Sequence, residues 1–214
     1  MGFPARSPSI QSLLGESVKP LVRLQTYKNI CYLVLSFPLG FMYGMFLGFG
    51  LIFGIGLSLI VIGLGILAVV VVLIRALTGF ERWLSNRLLA VTVAEPAEDL
   101  SGEGSFGSLR SMIEADSTWR GLGFLTLKLW FGIIGIVLLF GFSTAYSMLM
   151  AVVERPRSVN FGEVNGEPVI WTIETVPEAA IAGVIGVVIT FVLLHLSNLF
   201  GYVAGRVSVS LLGD

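Results

Sequence analysis

The sequence holds very few of the side chains from which metal sites, haem sites and catalytic triads are built. It has one histidine, His195, and one cysteine, Cys31. An ordinary zinc site takes several histidine or cysteine ligands, a bis-histidine haem takes two histidines, and a disulfide takes two cysteines. We therefore expect no cofactor, no metal site and no intrachain disulfide, and we expect that the protein is not an enzyme.

Charged residues are also scarce. Only 13% of the residues are charged, 55% are hydrophobic, and the formal net charge is -1. Because the charge is sparse and balanced, the chain lacks the basic surface that nucleic-acid binding requires. Its composition is typical of a membrane protein. We expect the lipid bilayer to be a partner and expect no nucleic acid to bind.

A long charge-free run near the start predicts two helices that cross a membrane. No charged residue occurs from Asn29 to Ile74. As one straight helix this run would be about 69 Å long, whereas the hydrocarbon core of a bilayer is about 30 Å thick. The chain must therefore turn back. We place the turn in the glycine-rich residues 47–56, between helices at 28–50 and 55–77.

Two further charge-free runs, residues 129–153 and 179–205, each predict one more crossing. The predicted fold class is therefore all-α and integral to a membrane, with four transmembrane helices arranged as two helical hairpins. Each hairpin has the length and the apolar character that two adjacent crossings require.

The distribution of positive charge predicts the orientation of these helices. If both termini are cytoplasmic, the outer side keeps only Arg155 and Arg157. The other lysine and arginine residues then lie inside: Arg6, Lys19, Arg23, Lys28, Arg75, Arg82, Arg87, Arg110, Arg120, Lys128 and Arg206. Cytoplasmic flanks carry such an excess of positive charge. We expect a multi-pass protein of the cell membrane with both termini in the cytoplasm.

The two hairpins begin with the same sequence pattern. Residues 26–28 read Thr-Tyr-Lys and residues 118–120 read Thr-Trp-Arg, and a long apolar segment follows each. We interpret residues 26–91 and 118–213 as tandem parallel repeats that both begin and end inside. The alternative is that two inward-facing flanks converged on one pattern, because aromatic belts and basic flanks are general at membrane surfaces.

The one substantial outer segment, residues 154–178, is predicted to form a small extracytoplasmic β-hairpin. Asn165-Gly166 is a preferred centre for a two-residue type I′ turn, and residues typical of strands flank it. This hairpin is either a structured connector or a contact for a ligand or partner. The candidate contact residues are Phe161, Glu163, Glu167, Trp171 and Glu174.

Polar residues also occur within the fourth predicted helix. His195 lies beside Ser197 and Asn198, and such an intramembrane cluster marks either a ligand site or a proton-sensitive switch. Alternatively, these side chains only bond to neighbouring helices. On the cytoplasmic side, residues 1–25 are predicted to form a tail with an interfacial helix, and residues 92–117 an acidic loop.

Several segments together resemble a known family. They are "TYKNICYLVLSFPLGFMYGMFLGFGL", "FERWLSNRLL" and "STWRGLGFLTLKLWFG". Over residues 20–213 the chain resembles the four-helix "putative sensor" domain at the N-terminus of some bacterial and archaeal sensor histidine kinases. The resemblance implies a membrane input module for two-component signal transduction. In those kinases the phosphoacceptor histidine and the ATP-binding domain follow the last helix, whereas neither is found before Asp214.

We therefore expect a stand-alone sensor-like module that detects an extracytoplasmic or membrane stimulus. It would pass the signal to a separate histidine kinase or transcription regulator, and a homo-oligomer is left open. The first alternative is a small transporter or channel component. It is disfavoured because the spans lack buried carboxylates and Lys128 is near enough to the inner boundary to snorkel. The second alternative is a structural membrane subunit, which the sequence does not separate from a sensor.

Overall fold

The computed structural model describes residues 20–60, 62–97 and 110–213. In chain order its elements are α1 (Leu24–Gly56), α2 (Ile62–Leu88), α3 (Asp116–Met150), β1 (Arg157–Val164), β2 (Glu167–Ile173) and α4 (Val176–Leu212). The interfacial helix predicted for the N-terminal tail and most of the acidic loop lie outside the described residues. The fold is therefore mostly helical, with one small sheet.

All four long helices have the length and the apolar composition that crossing a membrane requires. They contain 27 to 37 residues, and each has a strongly apolar window with few charges. At about 1.5 Å per residue even the shortest is about 40 Å long, which exceeds the apolar thickness of a bilayer. The four apolar helices predicted from the charge-free runs are thus confirmed.

The predicted turn between the first two helices was wrong. The glycine-rich residues 47–56 are helical, and the chain turns at residues 57–60 instead. A Cβ atom on Gly54 would lie 2.6 Å from Leu67 Cδ2, and one on Gly50 would overlap Val70. These glycines therefore let α1 and α2 approach closely, and their number is explained by packing within a helical hairpin.

The chain forms two compact units. Among the described residues, the first unit lies within 28–137 and 199–213, and the second comprises residues 20–27 and 138–198. In the first unit, α1, α2 and α3 bury a core of Tyr43, Leu47, Val70, Ile74 and Leu125. This core joins side chains from three helices, so the first unit has its own hydrophobic centre.

A short hydrogen bond joins α2 to α4 inside the first unit. The Ser85 and Ser208 hydroxyl oxygens lie 3.0 Å apart, and Ser208 also donates to the carbonyl of Ala204. Both serines are buried. Their hydroxyl groups are satisfied without water, which allows these two helices to meet at a polar position.

The direction of α1 and α3 differs from the sequence-based expectation. In the first unit, a Cβ atom on Gly40 would lie 2.6 Å from Leu129 Cα, and Cβ atoms on Gly132 and Gly135 would overlap Phe37 and Leu33. The contacts move backward along α1 as they move forward along α3, so the helices run antiparallel. Tandem parallel repeats predict parallel directions, and that arrangement is not confirmed. The three glycines allow the two backbones to approach closely on this face.

The second unit contains the two-stranded antiparallel sheet that the sequence predicted. β1 pairs with β2 in the register Arg157 to Ile173 and Val159 to Trp171. Asn165 and Gly166 both have positive φ angles, 56° and 84°, as a type I′ turn requires. Asn165-Gly166 therefore forms the turn that the sequence predicts, because both residues tolerate a positive φ angle.

Two nearby glycines on α2 give a test of this packing. A Cβ atom on Gly63 would overlap the backbone of Leu57 and Ser58, whereas Gly65 has open space around it. We expect Gly63→Ala to destabilise the protein by about 1–3 kcal/mol through overpacking. We expect Gly65→Ala to be neutral or slightly stabilising because alanine favours helix. Thermal unfolding of both variants in one detergent measures this, and equal melting temperatures would contradict the close turn.

Candidate functional site

The β-hairpin is seated on the ends of two helices through one apolar cluster. Val159 of β1 and Ile173 of β2 are both fully buried. The cluster is completed by Met148, Ala151, Ala179 and Ala182, with Trp171 and Ile189 packed against it. Because an isolated hairpin is only marginally stable in water, this cluster supplies the burial that holds it in place.

The first strand is also fixed by charge at its start. Arg157 Nη1 donates to Glu154 Oε2 at 2.7 Å, and the guanidinium lies 5.9 Å from the centre of the Tyr146 ring. Arg155 Nη1 donates to the carbonyl oxygen of Val152 at 3.0 Å. Exposed ion pairs contribute little stability, so their main effect here is to set the direction in which the chain leaves α3.

A capping box fixes the connection from β2 to α4. Glu178 Oε2 accepts hydrogen bonds from the backbone N–H groups of Glu174 at 3.0 Å and Thr175 at 3.1 Å. In return, the N–H of Glu178 donates to Thr175 Oγ1 at 3.4 Å. These bonds satisfy backbone donors that a helix N-terminus leaves free. The second strand is thereby tied directly to the first turn of α4.

A bulge changes the pairing near the tip of the hairpin. The register shifts between Asn160 and Glu163, and Gly162 has a φ of 108°. The Gly162 N–H donates to the side-chain oxygen of Asn160 at 2.7 Å. A side chain is disfavoured at this backbone conformation, so the glycine is required by the bulge.

The five candidate contact residues do not form one surface. Phe161, Glu163, Glu167 and Glu174 are exposed, whereas Trp171 is half-buried against the apolar cluster. The register places Glu163 opposite Pro168, on the other face of the sheet from Trp171. Trp171 therefore helps to seat the hairpin, and Phe161 and the three carboxylates are the members of the set that are open to a partner.

The structure places the predicted polar cluster of α4 in three different surroundings. His195 is exposed, and its Nδ1 atom lies 2.8 Å from the carbonyl oxygen of Phe191. Ser197 is buried and donates to the carbonyl of Leu193. Asn198 Nδ2 donates to Thr26 Oγ1 at 3.1 Å. Each of these three hydrogen bonds goes to a group outside the cluster.

The first unit contains a buried ion pair between α2 and α3. Lys128 Nζ lies 2.7 Å from Glu81 Oε2, and both side chains are 0% exposed. Tyr43 donates its hydroxyl to Glu81 Oε1 at 2.8 Å. The ammonium group also lies 3.8 Å from the centre of the Tyr32 ring, a cation–π distance. Both carboxylate oxygens are therefore satisfied, and three helices contribute to the network.

This network corrects two sequence-based expectations. Lys128 does not snorkel to a boundary, and a buried carboxylate, Glu81, is present. Glu81 was overlooked because it lies among Arg82, Trp83 and other residues that are typical of a membrane flank. The signal available in the sequence was a lone lysine at the edge of one apolar run and a glutamate just beyond another. Charges in such positions are usually paired.

The aromatic residues of the repeated flanks make matching hydrogen bonds. The Tyr27 hydroxyl donates to the carbonyl of Leu21 at 2.9 Å. The Trp119 indole N–H donates to the carbonyl of Ile113, also at 2.9 Å. In both flanks the acceptor lies six residues before the donor. The two flanks therefore share a local geometry as well as a sequence pattern.

The threonines of both flanks and the basic residue of the second flank bind other helices. Thr118 Oγ1 accepts from Arg75 Nη1 at 2.9 Å, just as Thr26 accepts from Asn198. Arg120 Nη2 donates to the carbonyl oxygens of Ser210 at 2.6 Å and Gly213 at 3.0 Å. A cation near the last carbonyls of a helix stabilises it. The basic residue of the second flank thus caps α4.

These features define a class of protein: a small, mostly helical chain whose described residues contain four helices of membrane-spanning length and a structured β-hairpin between the last two. The family model described as "Putative sensor" matches residues 32–212. The chain belongs to this family, which confirms the resemblance found in the sequence. No match was found among curated proteins or among solved structures.

The ion pair predicts strongly non-additive mutational effects. Lys128→Met or Glu81→Gln alone leaves one buried charge without its partner, and we expect a loss of about 3–5 kcal/mol of stability. The double variant removes both charges, so its loss should be smaller than the sum of the two single losses. Thermal unfolding of all four proteins in detergent measures the coupling. Additive losses would show that the two charges do not interact.

Proposed function

We propose that the protein is a membrane-embedded sensor-like module that passes a stimulus received at the hairpin or in the lipid to a signalling partner. The observation that carries this proposal is the match of the sensor family over most of the chain. The seating of the hairpin supports it, because β1 and β2 are tied to α3 and α4 by an apolar cluster and a capping box. A displaced hairpin would therefore bear directly on both helices.

The signalling partner is proposed to be a histidine kinase or a transcription regulator. Helices that continue from a stimulus site to the opposite surface are the usual route for a shift in helix packing. α3 is continuous over 35 residues and α4 over 37. Arg120 joins the start of α3 to the end of α4, so a displacement of one helix end would also move the other.

Crosslinking in native membranes tests this proposal. A protein with a C-terminal tag would be crosslinked mildly, purified and examined by mass spectrometry. We expect stoichiometric recovery of a kinase or regulator from both the native protein and a Gly65→Ala control, since the control position has open space around it. Recovery of the protein alone or with a permease would contradict the proposed output.

A transporter or channel component is the second candidate, and the buried ion pair is the observation that favours it. Ionisable groups inside membrane proteins often mark ion or proton pathways. Glu81 and Lys128 are nevertheless fully paired in the structure. Ion flux into reconstituted vesicles that Glu81→Gln abolishes would support this candidate and would argue against a purely signalling role.

The proposed membrane arrangement has both termini in the cytoplasm, as the excess of positive charge on the inner flanks favours. Four successive crossings make α1 and α3 parallel. The antiparallel contact through Gly40 and Gly132 opposes this arrangement, so the side of the membrane on which each turn lies decides between the two. The turn that contains Ser58 and the turn at Asn165 would both lie outside.

Cysteine accessibility tests this arrangement. We expect single cysteines at Ser58 and Asn165, in a Cys31→Ser background, to react with a membrane-impermeant reagent from the outer side of intact cells. A cysteine at Ser117, at the start of α3, should react only after the cells are opened. Outer labelling at Asn165 with inner labelling at Ser58 would show that α1 and α2 do not both cross the membrane. This result would support the antiparallel contact between α1 and α3.

A further inference from the structure

The two faces of the β-hairpin have different surroundings. The register pairs Val159 with Trp171, and side chains alternate between faces along a strand. Trp171 and Ile173 of β2 therefore share one face with Val169 and Glu167, which we call the seated face. Asn160 and Ile170 are paired on the opposite face.

The helices cover only half of the seated face. At its base Val159 and Ile173 are 0% exposed. Toward the tip, Val169 is 43% exposed and Val164, paired with Glu167, is 62% exposed. The tip therefore extends past the apolar cluster with its valines uncovered. An apolar surface that continues a buried interface is itself expected to be covered.

The helices beneath the hairpin leave apolar side chains exposed in the same unit. Val153 follows the end of α3, and Ile181 and Val184 lie in the first turns of α4; they are exposed by 76%, 57% and 66%. In a helix that crosses a membrane, such side chains face lipid. The seated face points toward these helix ends, so lipid is the occupant that both surfaces share.

We propose that the tip of the hairpin rests on the bilayer surface through Val164 and Val169 of the seated face. Glu167 lies on this face and forms no ion pair among the described residues. A carboxylate at a bilayer surface is repelled by anionic headgroups and attracted by the ammonium groups of zwitterionic lipids. The inference rests on the proposed sensor function, and it identifies the bilayer surface as the stimulus that the hairpin contacts.

Neighbouring residues on opposite faces provide a matched test. In a Cys31→Ser background, Val169→Cys and Ile170→Cys would each carry a fluorophore, with the full chain in phosphatidylcholine nanodiscs. A lipid with a spin label in its headgroup quenches fluorophores that touch the surface. We expect loss of fluorescence at position 169 and little loss at position 170. Equal quenching at both positions, or none at 169, would overturn the proposal.

The charge of Glu167 gives a second readout. Anionic phosphatidylglycerol in the nanodiscs should lower the quenching at position 169, because it repels the carboxylate. Glu167→Gln should abolish the decrease in quenching that phosphatidylglycerol causes. Glu163→Gln, on the opposite face, should leave that decrease unchanged. If phosphatidylglycerol changes the quenching equally in both variants, Glu167 is not the group that interacts with the charged headgroups.

The quenching experiment tests the surface contact, and the crosslinking experiment tests the proposed function, so one can fail without the other. Unequal quenching at 169 and 170 would establish the surface contact even if no kinase or regulator is recovered by crosslinking. Recovery of a partner with equal quenching at both positions would leave the sensor role intact and exclude the bilayer surface as the site that the hairpin touches.

Discussion

The first unit depends on an ion pair that has lost all contact with water. Removing a carboxylate and an ammonium group from water costs several kcal/mol per ion, so each must be compensated within the protein. Glu81 receives Lys128 and Tyr43, and Lys128 also meets the face of Tyr32. Because these groups come from three helices, the helices cannot slide past one another without exposing an unpaired charge to apolar surroundings. A pair of this kind selects one packing among many that an apolar surface would allow.

Helices made almost entirely of apolar residues need such a constraint. Hydrophobic contact has no direction, and lipid is as apolar as the side chains themselves. Glycine supplies the second constraint, because it allows backbones to meet at only a few positions. Gly50 and Gly54 locate α1 against α2, and Gly186 locates α4 against Met148 and Leu149. The buried charges and the glycines together provide the specificity that a uniform apolar surface lacks.

The features predicted correctly from the sequence are those that depend on local chemistry. The charge-free runs predicted four helices because the length of an apolar segment can be counted in the sequence itself. Asn165-Gly166 predicted the turn because few residues tolerate a positive φ angle. The glycine-rich end of α1 was misread because glycine serves turns and helix packing equally well. The ion pair was missed because the burial of Glu81 depends on a lysine that lies 47 residues away in the chain. The face on which each carboxylate of the hairpin lies does not follow from the sequence, because the register shifts between Asn160 and Glu163.

The sequence pattern shared by α1 and α3 is matched by the contacts that these helices make within the first unit. If Thr26 corresponds to Thr118, then Phe37 corresponds to Leu129 and Gly40 to Gly132, so the contacts Gly40 to Leu129 and Phe37 to Gly132 are one contact made twice. Arg75 and Asn198 bind the two threonines, and each precedes its serine by the same number of residues. The hydrogen bond between Ser85 and Ser208 therefore joins equivalent positions of the two repeats in the sequence. Within the first unit, α1 and α3 thus make the same glycine contact with each other twice, as two subunits do when one surface pairs with itself.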